Sequence, residues 1–481
     1  MLQLFLRDSL IYGLASILSR SLGLLLLPIY TRILEPQDYG VFDLITTAAV
    51  FINLVLALEI GQGLARYWNE VASKNQQIIL ASTAWWFSVF FGLIFLIFSF
   101  YYSEKLNKLI FNYESYLSIF KTACIFLYLN CLFYILLNQL RWDMQSKKYA
   151  AVSFINAALI FTLGITFSYY RNMGLLGIVT GQAFAALLSI LLCLVLLRKS
   201  IILRLNFSKL VLMLKFSIPL VPAALATFIT LYVNRLALNA YGSLDEIGIY
   251  GAASRLASVV AIMAFGVQSA LTPLIYVNYK KARAPSDISS IFHVFLAVSL
   301  LLTLIMSVYA SEILIIMVGH DYSGAVALIP YLTIGLLFSQ LYPFFPGITI
   351  HKKTIWQLIV SILTATVSFI LNYSLVPIYG MLGAAISMLV SYIFFLSFWV
   401  FLSQKLYPIN IRWKDTFITL FTYLLVIFLS VKLSEFIVSY YLLFLIKTLL
   451  VIMFLLTLLG VRMIPLLKVC DVIKFCKNKD F

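Results

Sequence analysis

GLLGIVTGQAFAALLSILLCLVLL, residues 174–197, lies between Arg171 and Arg198-Lys199 and holds no charged residue. As an α-helix rising 1.5 Å per residue it is about 36 Å long. That is enough to cross a bilayer hydrocarbon core of about 30 Å. A β-barrel strand would instead alternate apolar and polar positions over ~10 residues, and this stretch shows no such alternation. Run after run of the same kind surrounds it. By periodicity and length the spans are 8–31, 39–63, 78–101, 117–140, 149–170, 174–197, 213–240, 247–274, 289–311, 326–349, 355–376, 380–402, 416–434 and 439–461, numbered here as spans 1 to 14. The fold class is therefore all-α, a polytopic membrane protein with about 14 transmembrane helices.

Composition agrees with this reading. The 481 residues are 63% hydrophobic and 11% charged, against about 45–50% and about 25% in soluble globular chains. There is too little charge to cover a water-facing surface. Connections between spans are short, so no extramembrane domain is expected. No secretory cleavage site follows the first apolar stretch. The five cysteines lack CxxC spacing and read as soft apolar fillers or tail thiols.

The net charge of +16 could suggest nucleic acid, but its distribution argues for topology. With the N-terminus inside, 23 of the 34 Lys and Arg fall in inside segments and five in outside loops. Such a bias places basic loops, and here both termini, in the cytoplasm. No nucleic-acid partner is expected.

Shifting the chain by 208 residues lays Tyr39-Gly40-Val41-Phe42 on Ile247-Gly248-Ile249-Tyr250, each pair opening a span. A shift of 206 lays Gly174-Leu175-Leu176-Gly177 on Gly380-Met381-Leu382-Gly383. This order predicts two parallel six-helix bundles, 1–210 and 211–410. Residues 411–481 then hold two additional spans and a short basic cytoplasmic tail. Parallel repeats place substrate between halves near mid-membrane.

Functional candidates are the polar groups inside spans, since each charge there costs about 2.5–3.5 kcal/mol on insertion scales. Arg20 continues a small and polar stripe on span 1. Asp43, Thr46, Thr47 and Asn53 make a stripe on span 2, Asn234 and Arg235 close one on span 7, and Arg255 follows Gly248 and Gly251 on span 8. Such stripes serve either as helix-packing faces or as walls of a hydrated lumen. Glu59 lies about 160° round the helix from Asp43. It is expected to pair with Arg66, to pair with a neighbouring span, or to meet substrate. Arg235 reads equally as an interfacial anchor. Lys121, Lys215 and Lys447 are expected to snorkel to the interface. Pro28, Pro219 and Pro222 bend their spans. Three arginines against one or two carboxylates make a cationic lumen, which suits phosphate oxygens. The chain has no GxxxxGK[ST], HExxH or DxD motif, so no cofactor or metal and no catalysis are expected.

The opening RDSLIYGLASILSRSLGLLLLPIYTRILEPQDYGVFDLI, with TRxLxPxDYGxFxL at residues 31–44, resembles the bacterial polysaccharide transporter family. These are the O-antigen and exopolysaccharide repeat-unit flippases of the multidrug/oligosaccharidyl-lipid/polysaccharide exporter superfamily. The GLLG and GMLG turns before spans 6 and 12 fit the same pattern. The resemblance implies a cell inner membrane location and a central cavity lined by Arg20, Arg235 and Arg255. The implied substrate is a polyprenyl-pyrophosphate-linked oligosaccharide, turned to the outer leaflet for lipopolysaccharide, capsule or exopolysaccharide biosynthesis. It also implies polysaccharide polymerase and export partners. A lipid II flippase or a drug/cation antiporter on the same fold is the competing reading.

Overall fold

The computed structural model describes residues 17, 21–56, 58–68, 70–71, 73–111, 113–436, 439–461 and 463. Arg20, Cys470 and Cys476 fall outside them, as does half of span 1.

Among the described residues, twelve helices are long and apolar enough to cross a membrane, from Pro36–Leu56 to Tyr440–Gly460. One of them, Ile355–Leu406, has 52 residues, about 78 Å of helix, which exceeds any bilayer. Gly380, at φ 54° and ψ −132°, breaks it in two. The break separates span 11 from span 12. A shorter apolar helix, Ser21–Ile33, is the described part of span 1. All fourteen predicted spans therefore have a helical counterpart.

The charge-free stretch at 174–197 forms helix Gly174–Leu196. It starts at Gly174, with φ 52°, and its repeat-mate Gly380 shows nearly the same value. Only glycine adopts this backbone without strain. Seven residues into the helix, Gly181 lies against the preceding span: a Cβ there would sit 2.7 Å from the Gly164 nitrogen. Small residues thus let two helices of an otherwise bulky apolar sequence approach closely.

Three prolines sit where one helical segment hands over to the next. Pro28 is in the first turn of Leu27–Ile33. Pro219 lies in a 3₁₀ turn, Ile218–Leu220, and Pro222 opens Val221–Tyr241. Each opens a new helical segment directly after another, where its missing amide interrupts the hydrogen-bond ladder of the span.

The chain packs as two compact units. One runs to Leu256 and takes in Met317–Ser323 and Ser361–Ser391; the other comprises Ala257–Ile316, Gly324–Val360 and the described residues from Tyr392. In the first unit, Leu56, Ile60, Leu64, Leu80, Ala84, Ile135 and Met213 form one apolar core and Trp85, Leu136, Leu140 and Ile190 another. Cys131 and Cys193 fill these cores as buried free thiols.

Two sequence expectations are corrected. Span 2 does not continue to residue 63. It ends at Leu56, Leu58 and Glu59 take left-handed φ of 42° and 51°, and a separate helix runs over Ile60–Trp68. Lys447 does not snorkel. In the second unit its Nζ donates to Glu312 Oε1 at 2.7 Å, with both side chains mostly buried, at 7% and 15% exposure. The preference that drives snorkelling, a charge seeking water, is met here by a carboxylate from Ala310–Met317.

Candidate functional site

The described candidates divide into two places in the first unit, near opposite ends of helix Pro36–Leu56. Asp43 stands about 10 Å along this helix and Asn53 about 25 Å.

At the Asp43 end, the side chain enters a space opened by glycine. A Cβ on Gly251 would lie 2.7 Å from Asp43 Cγ. Two further glycines bring the backbones together: a Cβ on Gly40 would strike the Leu244 carbonyl and one on Gly248 the Pro36 carbonyl. Gly40 and Gly248 are mates under the 208-residue shift and touch each other, as are Asp43 and Gly251. The small residues of these stripes form a packing face.

Arg235, on helix Val221–Tyr241, donates from Nε to Asp43 Oδ2 at 3.1 Å, with the side chains 11% and 8% exposed. Its guanidinium carbon lies 5.1 Å from the Tyr250 ring centre and 5.5 Å from that of Tyr232. Two ring faces and a carboxylate replace the water the cation gave up. Asn234 completes the arrangement. Its Oδ1 accepts from the Arg235 backbone nitrogen at 2.9 Å and from Nη1 at 3.2 Å, while its Nδ2 donates to the Tyr250 hydroxyl. The interfacial-anchor reading of Arg235 is thereby replaced by a buried ion pair. The pair neutralises one of the charges counted toward a cationic lumen.

Arg255 stands one helical turn beyond Gly251. Its guanidinium lies 5.3 Å from the Phe42 ring centre, within electrostatic reach of Tyr30 and Tyr39. Both tyrosines pack edge-on against Phe42, at 5.5 and 5.7 Å. Tyr39 also packs on Tyr322, whose hydroxyl donates to the Leu34 carbonyl at 2.9 Å. Arg255 is partly exposed, and its planar cationic fork lies over the Phe42 ring. Such a group can grip phosphate oxygens in two-pronged fashion.

At the other end, Asn53 and Glu59 line a polar cavity of about 80 Å³ with Tyr134, Asn138, Arg141 and Trp142. It has room for several waters. Asn53 Oδ1 is buried without a hydrogen-bond partner. Glu59 lies beyond the end of its span, and burial pushes its carboxyl above the ordinary range, against a hydrogen bond from Gln62. Of the three readings open for Glu59, the pair with Arg66 does not form; Arg66 pairs with Glu70 one turn on. The wall residues Tyr134, Asn138 and Arg141 carry a legible signal, the i, i+4, i+7 spacing of a helix face. In the charge count alone Arg141 reads only as a loop residue. Tyr232 and Tyr250 carry no such mark among 29 tyrosines.

A family model described as polysaccharide biosynthesis protein matches residues 5–279, more than half of the chain and all of the Asp43–Arg235–Arg255 cluster. The chain belongs to the polysaccharide biosynthesis protein family. No curated protein matches it in sequence. Among solved structures, this family member is similar to the lipid II flippase MurJ in an inward closed conformation, with 17% identity, TM-score 0.75, and coverage of 94% of this chain and 98% of that one. It is also similar to a multidrug resistance MATE family transporter of the MOP superfamily. The inward-facing form matches at 14% identity and TM-score 0.63, over 82% of this chain and 95% of that one. The outward-facing form matches at 16% and 0.57, over 84% and 94%. At these identities the likeness concerns the fold. The polysaccharide biosynthesis protein is thus a multi-pass helical membrane protein built on the architecture that these transporters share.

Proposed function

We propose that the protein is a flippase. It moves polyprenyl-pyrophosphate-linked oligosaccharide repeat units from the cytoplasmic to the outer leaflet by alternating access, supplying O-antigen, capsule or exopolysaccharide synthesis. The observation that carries this reading is the family match over the helices that carry Arg255 and the Phe42 ring beside it. The fold shared with a lipid II flippase supports it, since that protein's substrate class is lipid-linked. In this reading both termini are cytoplasmic, the membrane is the bacterial inner membrane, and the protein performs no catalysis. Substrate passes to polymerase and export partners.

Arg255, with Arg20, would bind the pyrophosphate, while the prenyl chain stays in lipid. Asp43 and Arg235, joined near the outward ends of their helices, would close the outer side and separate as it opens. Two parallel bundles, 1–210 and 211–410, would supply the moving parts. Asn53 and Glu59 would meet the polar part of the substrate from the cytoplasmic side.

To test this, Arg20→Ala and Arg255→Ala are expressed at wild-type level and surface glycan is measured. Loss of glycan by either is the expected result. Full production by both would overturn the assignment. A lipid II flippase is the second reading, favoured by the similarity to MurJ. It predicts rescue of cells depleted of their lipid II flippase, which repeat-unit export does not. The drug/cation antiporter is disfavoured, because Arg235 already neutralises Asp43, the carboxylate that would attract a cation.

A further inference from the structure

The second unit holds a cavity of about 220 Å³, and none of its lining residues belongs to the Asp43–Arg235–Arg255 cluster. Helix Val259–Asn278 presents Gln268, Thr272 and Tyr276 to it, at the i, i+4, i+8 spacing of one face. Tyr342, Gln357 and Trp399 close it from three other segments. The helix after Ile329–Ser339 is broken here by Pro343 and Pro346. The break is held in place: the Phe345 carbonyl accepts from Trp399 Nε1 at 3.0 Å and from Ser403 Oγ at 2.7 Å, and the Gly347 nitrogen donates to Ser403 Oγ at 2.7 Å. Tyr342 packs on Trp399 with ring centres 5.1 Å apart at 72°. Gln268 is oriented by donating to the Gln340 carbonyl at 2.9 Å and to Gln340 Oε1 at 3.0 Å.

Among the described residues, no charged one lines this cavity. Its walls combine planar amides, hydroxyls and aromatic rings. With both Gln268 Nε2 hydrogens given to Gln340, its Oε1 remains to accept, and the Gln357 amide can both donate and accept, which matches the hydroxyls of a sugar. Tyr and Trp rings offer apolar faces beside polar tips, which matches the C–H face of a pyranose. The volume falls just below the roughly 300–1,000 Å³ of pockets for drug-sized ligands, the size of one sugar residue. A carboxylate or phosphate brought here would find no cationic side chain in the cavity wall itself, and a charge taken out of water without a partner is disfavoured. Tyr276 stands two residues from the end of its helix, next to the loop carrying Lys280, Lys281 and Arg283. The loop-charge bias assigns that side to the cytoplasm, where lipid-linked glycans are loaded.

We infer that this cavity binds an uncharged sugar residue of the glycan on the loading side, separately from the pyrophosphate. The inference rests on the proposed flippase function and adds a glycan subsite that discriminates against acidic sugars.

The test uses the purified full-length protein in lipid nanodiscs and three probes: polyprenyl pyrophosphate bare, bearing one N-acetylglucosamine, and bearing one glucuronic acid. Wild type is expected to bind the N-acetylglucosamine lipid most tightly. Gln268→Leu should lose about tenfold in affinity for it, the scale of one or two hydrogen bonds, with bare-lipid binding unchanged. Gln357 is exposed, so its replacement leaves packing intact. Gln357→Arg should move preference toward the glucuronic acid lipid. Equal loss on bare and sugar-bearing lipid, or no change in either variant, would overturn the subsite while the flippase reading stood. Failure of wild type to bind any of the three lipids would overturn the flippase reading itself, and the subsite with it.

Discussion

Asp43 occupies the space that Gly251 leaves empty: a Cβ on Gly251 would lie 2.7 Å from Asp43 Cγ. The two residues are mates under the 208-residue shift, so the repeat brings a position against its own counterpart. Two side chains of any size could not both fit there. The chain keeps the carboxylate on one side and glycine on the other, and this asymmetry gives Arg235 a partner.

Gly251→Ala should therefore expel the Asp43 carboxylate from its seat. The variant is expected to lose several kcal/mol, because overpacking and the broken ion pair act together. Thermal unfolding of the purified protein, compared with Gly460→Ala, checks it. A Cβ on Gly460 would have no neighbour within 4 Å, and its substitution should be close to neutral. Equal melting temperatures for the two variants would contradict the packing account.

Removal of either member of the Asp43–Arg235 pair leaves the other charge buried. Asp43→Leu and Arg235→Leu should each cost about 3–5 kcal/mol, and the double substitution much less than their sum. The readout is a double-mutant cycle on melting temperature. Additive losses would mean that the two groups do not stabilise each other.

Lys447 and Glu312 make the corresponding prediction in the second unit. Lys447→Met strands Glu312, whose Oε2 already lacks a partner, and should cost about 3–5 kcal/mol. Adding Glu312→Leu should restore most of it. Tyr309, which donates to or accepts from Thr448 Oγ1 at 2.7 Å, holds span 14 at the same place. Tyr309→Phe alone should cost about 1 kcal/mol. Melting of the purified variants decides, and a Lys447→Met protein as stable as wild type would return Lys447 to the interface.

Gly380 reverses the chain between spans 11 and 12 at φ 54°. Gly380→Ala should cost about 1–3 kcal/mol in backbone strain. Its mate Gly174, at φ 52° with open space around a side chain, isolates the strain from any clash. Similar losses for Gly174→Ala and Gly380→Ala are expected. A much larger loss at Gly380 would assign the effect to its neighbour Glu246, 3.1 Å from the added carbon.

The sequence by itself determined the spans, because a segment's length and apolarity are local and the bilayer imposes one solution on them. It also marked the glycines that matter, through the 206- and 208-residue shifts, and it reached the family through residues 31–44. It singled out Asp43, Arg235 and Arg255 as costly to bury. Only the tertiary structure decided what became of them. Asp43 and Arg235 are 192 residues apart, and whether two such charges neutralise each other depends on which helices become neighbours. The same holds for Lys447, whose stem suits snorkelling until Glu312 comes within 2.7 Å. The break at Leu58 and Glu59 was hidden for a related reason. Neither residue favours a left-handed backbone, so no local signal announced it, and the packing of Ile60, Leu64 and Gly63 against Met213 imposes the turn from outside.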